Sequence, residues 1–372
     1  LKRSIGIVFG GNSVEHEISI LSFIQALHAI DTEKYAVLPI YLTKTGEFWV
    51  GPNFNSLKTF QKDNFRHYRI TFQKRNEELH VKGIGFLPRK YRKKLDAILP
   101  IVHGKNVEDG SLAGFFKIYN VAYAGSDIFP AALFQDKFFA KKMLAADGIP
   151  VLPCRLHTYS EYKSRREEIL EAAEKEGYPV IVKPATLGSS IGIKVANDAE
   201  ELVLALNYAF KYEDSVLIER KLASFREFNQ AVLEKNGDYL LSTIEEVKSE
   251  NPFLTFTDKY MPINSKHEIP AQIPENLRGE ISRISLEIAK KYGMRGVIRI
   301  DYLFDAEEMK LYVNEVNTIP GSLAYYLFEE QMSFTELIDT MLSSAFKAKH
   351  RSDLKLNSFP SMVLSSGKSL KK

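Results

Sequence analysis

Two short stretches near the C-terminal end carry the residue types best suited to chemistry. Gly296-Val-Ile-Arg-Ile-Asp-Tyr-Leu-Phe304 and Tyr312-Val-Asn-Glu-Val-Asn317 read as strands. Alternation along a strand puts Arg299 and Asp301 on one face of the first, and Glu315 and Asn317 on one face of the second. If the connecting turn has an odd number of residues, the two faces coincide. Asp, Glu and Asn offer hard oxygen ligands, and an incomplete set of them suits a Mg²⁺ ion that also binds substrate phosphates. Arg299 beside them could neutralise a transferring phosphoryl group or an oxyanion. The plainer alternative is an arginine salt-bridged to two carboxylates on a solvated face. Against it, Val297, Ile298 and Ile300 do not alternate with polar residues, so the polar groups project from a largely buried sheet where unpaired charge is costly.

A second stretch, Tyr178 to Val195, is built for close approach to a ligand or for a tight turn. Lys183 closes an apolar strand, and Gly188, Ser189, Ser190 and Gly192 form the turn before the next one. Glycine lets backbone come near phosphate oxygens, and serine adds donors. The spacing matches neither Gly-x4-Gly-Lys-Ser/Thr nor Gly-x-Gly-x-x-Gly, and neither of those loops lies between two strands. It is a different phosphate loop, or only a turn.

The elements that must position these residues begin with a strand from Ser4 to Phe9, a Gly-rich turn from Gly10 to Ser13 and a helix from Ile18 to Ile30. Ala36 to Leu42, Ala97 to Val102 and Val121 to Ala124 are short apolar runs of the parallel-strand kind, with a helix from Leu112 to Tyr119. Residues 51 to 95 are polar and end in Arg89-Lys90-Tyr91-Arg92-Lys93-Lys94, which reads as a solvated surface insertion. Helices are expected from Phe129 to Ala146 and from Ser160 to Lys175. Strands follow at Tyr178 to Pro184, Ile193 to Val195, Val216 to Arg220, Phe228 to Glu234 and Tyr239 to Val247, the last pair joined by an Asn236-Gly237 hairpin turn. Residues 248 to 273 have no clean period and read as a functional lid. A helix from Pro274 to Tyr292 leads to the hairpin described above, and the polar stretch from Lys347 to Lys372 is expected to fray. There are no internal repeats.

Composition bounds the function. A chain of 372 residues has room for two or three domains. Its 45% apolar and 26% charged residues are ordinary for a globular protein. Fifty Lys and Arg against 47 Asp and Glu give a formal charge of +3, too balanced for a dedicated nucleic-acid binder. The single cysteine, Cys154, can form neither an intrachain disulfide nor a zinc site by itself, so a cytoplasmic setting is expected. No run of 18 apolar residues occurs, which excludes an ordinary membrane-spanning helix. The opening LKRSIGIVFGGNS mimics a signal peptide, but its apolar run covers only Ile5 to Phe9.

His103-Gly104-Lys-Asn-Val-Glu108-Asp109-Gly110-Ser-Leu-Ala-Gly114, the segment from Lys183 to Gly192, and Arg299-Ile-Asp301 with Glu315-Val-Asn317-Thr-Ile-Pro320-Gly321 stand in this order along the chain. Together they resemble the D-alanine-D-alanine ligases of the ATP-grasp superfamily, from Gly10 to about Phe328. The resemblance implies an α/β and α+β chain, an ATP-grasp fold preceded by a Rossmann-like N-terminal domain. The expected division is an N-terminal domain at 1–125, a central subdomain at 126–220, a C-terminal subdomain at 221–346 and a polar tail at 347–372. ATP would lie between the central and C-terminal parts. It further implies ATP as substrate with two Mg²⁺ ions, Mn²⁺ being possible, D-alanine as the other small molecule, no nucleic acid or membrane partner, and a homodimer.

By the same resemblance, Glu15 matches the glutamate that orients the ammonium group of the first D-alanine, and Ser189 and Tyr260 match its hydrogen-bonded partners. Lys137 and Lys183 match the lysines on the ATP phosphates, with Ser190 in the same phosphate loop. Glu219 and Leu222 would flank the adenine, Glu227 would bind the ribose, and Lys259 would approach the γ-phosphate. Asp301, Glu315 and Asn317 match the metal ligands, and Arg299 with the Gly321 backbone N–H matches the oxyanion site. Glu15 has an alternative role as a carboxylate favoured by a helix dipole, and Tyr260 as a lid anchor. Three departures stand out: Val107 where the family usually has Gly, Leu187 in place of a common acidic residue, and Ser322-Leu-Ala-Tyr-Tyr-Leu327. Many members carry in that last place a threonine-rich stretch and a Ser-Leu pair for the second substrate's carboxylate.

Two alternatives differ in function. One keeps the chemistry with a D-serine or D-lactate acceptor; the other is a nucleotide-binding regulatory module without catalysis, against which the full set of metal ligands argues. Tyr260 bears on the first. Depsipeptide-forming relatives typically carry a histidine nearby, whose protonated ring repels an ammonium, whereas tyrosine is neutral at pH 7, so the amide product is expected over the ester.

Overall fold

Runs of apolar residues with no polar alternation bury both faces of a strand, and the first sheet has two of them at its centre, at 5–10 and 97–102. The computed structural model describes residues 2–62, 65–249 and 265–356. In its first part β1 (Arg3–Gly10) leads into α1 (His16–Ala29), followed by β2 (Tyr35–Leu42), β3 (Phe48–Val50), the short helix α2 (Leu57–Phe60), β4 (Tyr68–Arg75), β5 (Glu78–Gly83), β6 (Lys94–Leu95), β7 (Ala97–Val102), α3 (Ser111–Ile118) and β8 (Ala122–Tyr123). These strands form one sheet in the order β6-β5-β4-β3-β2-β1-β7-β8, parallel from β2 to β8 and antiparallel from β2 to β6. At the end of β1, Gly10 sits at φ +92°, and a Cβ there would lie 2.3 Å from the Leu42 carbonyl oxygen, so only glycine makes the turn that leads into α1.

The antiparallel half corrects the reading of residues 51 to 95 as a solvated insertion. Phe54, Ile70, Phe72, Leu79, Val81 and Leu87 are buried against the rest of the sheet. β4 buries alternate residues only, which is why its composition looks polar. The basic run does remain at the surface: Tyr91 is buried, while Lys94 pairs with Glu78 at 2.7 Å.

The next part holds α4 (Ile128–Gln135), α5 (Lys137–Ala146), β9 (Cys154–Thr158), α6 (Tyr159–Ser164), α7 (Arg166–Glu176), β10 (Val180–Pro184), β11 (Lys194–Ala196), α8 (Ala199–Ala209) and β12 (Ser215–Arg220). The strands order as β11-β10-β12-β9. The single helix expected from Phe129 to Ala146 is two, because the Asp136 carboxylate accepts from the N–H groups of Phe138 and Phe139 and caps a new helix. The helix expected from Ser160 to Lys175 likewise breaks at Arg165. β9 and α8 were not anticipated.

The last part is β13 (Phe225–Lys235), β14 (Asp238–Ser249), β15 (Ser265–Glu268), α9 (Glu275–Lys291), β16 (Val297–Asp305), β17 (Lys310–Asn317) and α10 (Phe334–Asp353), with sheet order β15-β14-β13-β16-β17. Asn236 and Gly237 both have positive φ, +61° and +92°, as the expected two-residue hairpin turn requires. The stretch of α10 from Lys347 to Asp353 corrects the expectation of fraying there. A Ser333–Glu336 capping box starts that helix, and Leu337, Ile338, Met341 and Leu342 bury one face of it against the first sheet's core. Most of the expected lid, including Lys259 and Tyr260, lies outside the described residues, as does the chain beyond Leu356.

Candidate active site

The β16–β17 hairpin has an even turn, residues 306–309 between the paired Asp305 and Lys310. An even turn by itself would put the two sets of polar residues on opposite faces. A one-residue bulge at Asn314 shifts the register, so that Asp301 pairs with Glu315 and Arg299 with Asn317. The expected face forms through the bulge, and the bulge frees the Asn314 side chain to accept from Lys183 Nζ at 3.5 Å. Beyond Asp301 the row continues, because Asn229 on β13 pairs with Asp301 on one side and with Glu245 on the other. Glu245, Asn229, Asp301 and Glu315 therefore lie side by side across four strands.

Asp301 is buried and bound bidentately by Arg299, at 2.7 and 2.8 Å, and Asn317 Nδ2 donates to it at 3.1 Å. Burial opposes the Arg299 charge, but Asp301 outweighs it and holds the guanidinium well above its ordinary range. Glu315 pairs with Lys137 at 3.0 Å. Two carboxylates and a carboxamide on one face are a donor set for a hard divalent cation. Among the described residues no group of three or more His, Cys, Asp or Glu could hold a metal ion, so a metal here would need Asn317 and substrate oxygens as well.

On one side of this row, a cavity of about 80 Å³ is lined by Lys137, Lys183, Ser190, Glu219 and Leu222. Glu219 forms ion pairs with Lys183 and, at 2.5 Å, with Lys141. Burial works against the Glu219 charge, but the two lysines outweigh it and hold the carboxyl at about 2. Lys141 was missed in the sequence. It lies four residues after Lys137, on the same face of α5.

On the other side, a cavity of about 120 Å³ is lined by Glu15, Arg299, Asn317 and Gly321, and Gly188, Glu227 and Glu315 border both cavities. Ser189 Oγ donates to Glu15 Oε1, joining the phosphate-loop turn to the start of α1. Glu15 holds the N-cap position of α1 without a side-chain cap, where the helix dipole also favours a carboxylate. A Cβ at Gly104 or at Gly188 would come within 2.7 Å of Glu15 Oε2, which explains the glycines in both motifs. Ser189 and Ser190 take φ of +55° and +58°. Gly321 is open, with nothing within 4 Å of a Cβ built on it.

His103, Glu108 and Glu245 escaped assignment to a role. Glu108 accepts from the Ile319 N–H at 2.8 Å and from the Gly104 N–H at 3.0 Å, while His103 Nδ1 meets the Ile319 carbonyl at 2.8 Å. These two grip the chain between Asn317 and Gly321. Burial pushes the Glu108 carboxyl up to about 7 and His103 down. Glu245, fully buried, accepts from Asn229 Nδ2 at 2.8 Å and from the Tyr326 hydroxyl at 3.0 Å, and His267 Nδ1 lies 2.6 Å away. Burial raises its pKa, but the His267 and Asn229 bonds and the Arg299 charge prevail and hold it below the usual carboxylate range. Sequence pattern hid it within a buried strand, though Glu245-Glu246 in an apolar run was a signal. Val107 packs into the space beside Gly11, where a Cβ would lie 2.6 Å from its Cγ1. The Leu187 carbonyl accepts from Lys137 Nζ at 2.5 Å.

Two antiparallel sheets facing each other across a lysine-lined cavity, with a carboxylate-bearing hairpin at its edge, define the ATP-grasp class. The chain belongs to the D-alanine-D-alanine ligase family: the model of the family's N-terminal part matches residues 4–126 and that of its C-terminal part residues 143–343. It is 37% identical over 352 residues to a D-alanine-D-alanine ligase of Thermosipho africanus, covering 93% of this chain and 94% of the relative. The structure of the D-alanine-D-alanine ligase from Coxiella burnetii matches with a TM-score of 0.79 at 25% identity, over 95% of this chain and 96% of that one. VanG D-Ala:D-Ser ligase from Enterococcus faecalis matches with a TM-score of 0.77 at 27% identity, over 93% and 100%. The family uses ATP as a substrate together with a divalent metal. Among the described residues, no helix is long and apolar enough to cross a membrane.

Proposed function

We propose that this chain joins two D-alanines to D-alanyl-D-alanine for peptidoglycan precursors, through an acyl phosphate formed where its two cavities meet. The observation that supports this route is the row holding Asp301 and Glu315, which borders a lysine-lined cavity on one side and the Glu15–Arg299 cavity on the other. A carboxylate oxygen of the first D-alanine attacks the γ-phosphorus of ATP, and ADP leaves. The amine of the second D-alanine then attacks the carbonyl carbon. The C–N bond forms, the C–O bond to phosphate breaks, and the nitrogen gives up its protons to solvent and to the departing phosphate.

Lys137, Lys183 and Ser190 hold the phosphates, Glu219 and Leu222 flank the adenine and Glu227 takes the ribose. Glu219 also keeps Lys183 and Lys141 in place. Lys259 and Tyr260 come from the 248–273 segment, Lys259 near the γ-phosphate and Tyr260 with Ser189 as a partner of Glu15. Glu15 orients the first ammonium group, and Arg299 and the Gly321 N–H stabilise the tetrahedral oxyanion. Asp301, Glu315 and Asn317 would hold two Mg²⁺ ions, replaceable by Mn²⁺, which when bound offset charge on the phosphoryl oxygens. We assign residues 1–125, 126–220 and 221–346 to the gripping, central and C-terminal units, and residues 347–372 to a C-terminal extension that α10 opens. The reading places the enzyme in the cytoplasm, where ATP is supplied, and as a homodimer, which a sedimentation measurement tests.

The deciding experiment supplies ATP and Mg²⁺ with equal D-alanine, D-serine and D-lactate at pH 7 and reads products by mass spectrometry. D-Alanyl-D-alanine should dominate, and Glu315→Gln should abolish most turnover in a folded protein. A dominant D-serine or D-lactate product contradicts the acceptor assignment, and full turnover in the variant contradicts the metal site.

A further inference from the structure

Among the described residues, four buried side-chain polar atoms have no hydrogen-bond partner, and one of them, Asn229 Oδ1, belongs to a residue lining the larger cavity. The orientation of this carboxamide is fixed. Its Nδ2 donates to Glu245 Oε2 at 2.8 Å, and a carboxylate there can only accept. The same carboxylate takes the Tyr326 hydroxyl at 3.0 Å and faces His267 Nδ1 at 2.6 Å. The carboxamide is thus clamped by its nitrogen end, with its oxygen left over. A buried acceptor without a donor is costly, so a strand residue that keeps one in a binding cavity fits a ligand that brings an N–H.

The place of Asn229 in the row says which ligand. Glu315 borders the lysine-lined cavity, Asp301 comes next, and Asn229 and Glu245 follow on the far side. Phosphate leaves toward Glu315 and the lysines. The nucleophile must come from the side that the phosphate does not occupy, which is the side of Asn229.

We propose that Asn229 Oδ1 accepts a hydrogen bond from the amino group of the second amino acid and so orients it toward the acyl carbonyl, with Glu245 and Tyr326 holding the carboxamide in position. The ligand class is a primary amine borne by a small amino acid, and the nearby Glu245 carboxylate favours its positive form on entry. This rests on the ligase reading above, and the test separates the two.

The dependence of dipeptide formation on D-alanine, at saturating ATP and Mg²⁺, resolves a KM for each D-alanine site. In Asn229→Leu, which keeps the bulk and removes the acceptor, the second-site KM should rise by about tenfold. The first-site KM and the KM for ATP should stay within about twofold, a difference of less than 0.5 kcal/mol. Glu245→Gln, a neutral isostere that weakens the hold on the carboxamide, should move the second-site KM in the same direction by a smaller factor. It carries the test if the leucine variant does not fold, as judged by its thermal transition. A second-site KM unchanged in the folded variants, or both KM values rising together, overturns the assignment of Asn229. If the wild-type chain forms no dipeptide at all, the ligase reading fails instead.

Discussion

The two cavities that meet at Gly188, Glu227 and Glu315 treat buried charge in opposite ways. In the lysine-lined cavity, Glu219 is surrounded by Lys141 and Lys183, and a third lysine, Lys137, stands on Glu315. In the cavity beyond Asp301, the buried carboxylate Glu245 is held by a carboxamide, a phenol and an imidazole. The first arrangement carries an excess of positive charge and suits a polyanion; the second keeps a negative charge with few full counter-charges and suits a ligand bearing an ammonium. Arg299 lines the second cavity and binds Asp301, the strand neighbour of the shared Glu315, which puts it next to the boundary where an oxyanion would form.

The largest expected effect lies at that boundary. Arg299→Ala should lower kcat by roughly 10² or more with a smaller change in ATP affinity, read by steady-state kinetics. A rise in the KM for ATP alone would move Arg299 from the boundary to the nucleotide side.

Next comes the charge balance of the lysine-lined cavity. Glu219→Gln leaves two buried lysines without their counter-ion, a change that costs about 3–5 kcal/mol when one partner of a buried pair is removed. Calorimetry should show a clear fall in Tm, and the KM for ATP should rise. An unchanged Tm would mean that the two lysines do not depend on Glu219.

The pH dependence of stability separates the two cavities. Glu219 titrates below its ordinary value of 4.5, at about 2. Its contribution is therefore present above about pH 4.5 and is lost as pH falls toward 2. His267 is raised above 6.5, mainly by its bond to Glu245. Its contribution is fully present below pH 6.5 and is lost as pH rises through the higher folded value. Denaturant unfolding of Glu245→Gln should lose the alkaline dependence and keep the acid one; loss of both would show that the cavities are coupled.

The smallest effect belongs away from both. Arg89→Gln with Lys93→Gln, in the exposed basic run, should change stability by no more than about 0.5 kcal/mol and leave turnover unaltered.

What the sequence showed and what it hid follow from the range of the interactions. The strands at 4–9, 97–102 and 296–304, the Asn236-Gly237 turn and the α9 helix depend on local pattern and were legible. So was the face shared by Arg299, Asp301, Glu315 and Asn317, though the bulge at Asn314 that produces it was not, because a bulge depends on pairing across strands. The antiparallel half of the first sheet was hidden by its half-buried strands, and the split at Asp136 by a single cap inside an apolar run. The Glu108–Ile319 bond spans 211 residues and had no local signature. Glu245 acquires its meaning only beside Asn229, His267 and Tyr326, which three separate segments supply. The resemblance to the ligases placed residues by match to the family's known roles, Glu15, Lys137, Glu219 and Glu227 among them, and it assigned no role to Lys141 or Asn229.

The most direct test of the account follows oxygen. With D-alanine carrying ¹⁸O in both carboxyl positions, an acyl phosphate formed at the Asp301–Glu315 row must hand one of those oxygens to the released phosphate. D-Alanyl-D-alanine and ADP should form in equal amounts, with inorganic phosphate carrying one ¹⁸O atom. Dipeptide formed with unlabelled phosphate would contradict the acyl-phosphate route.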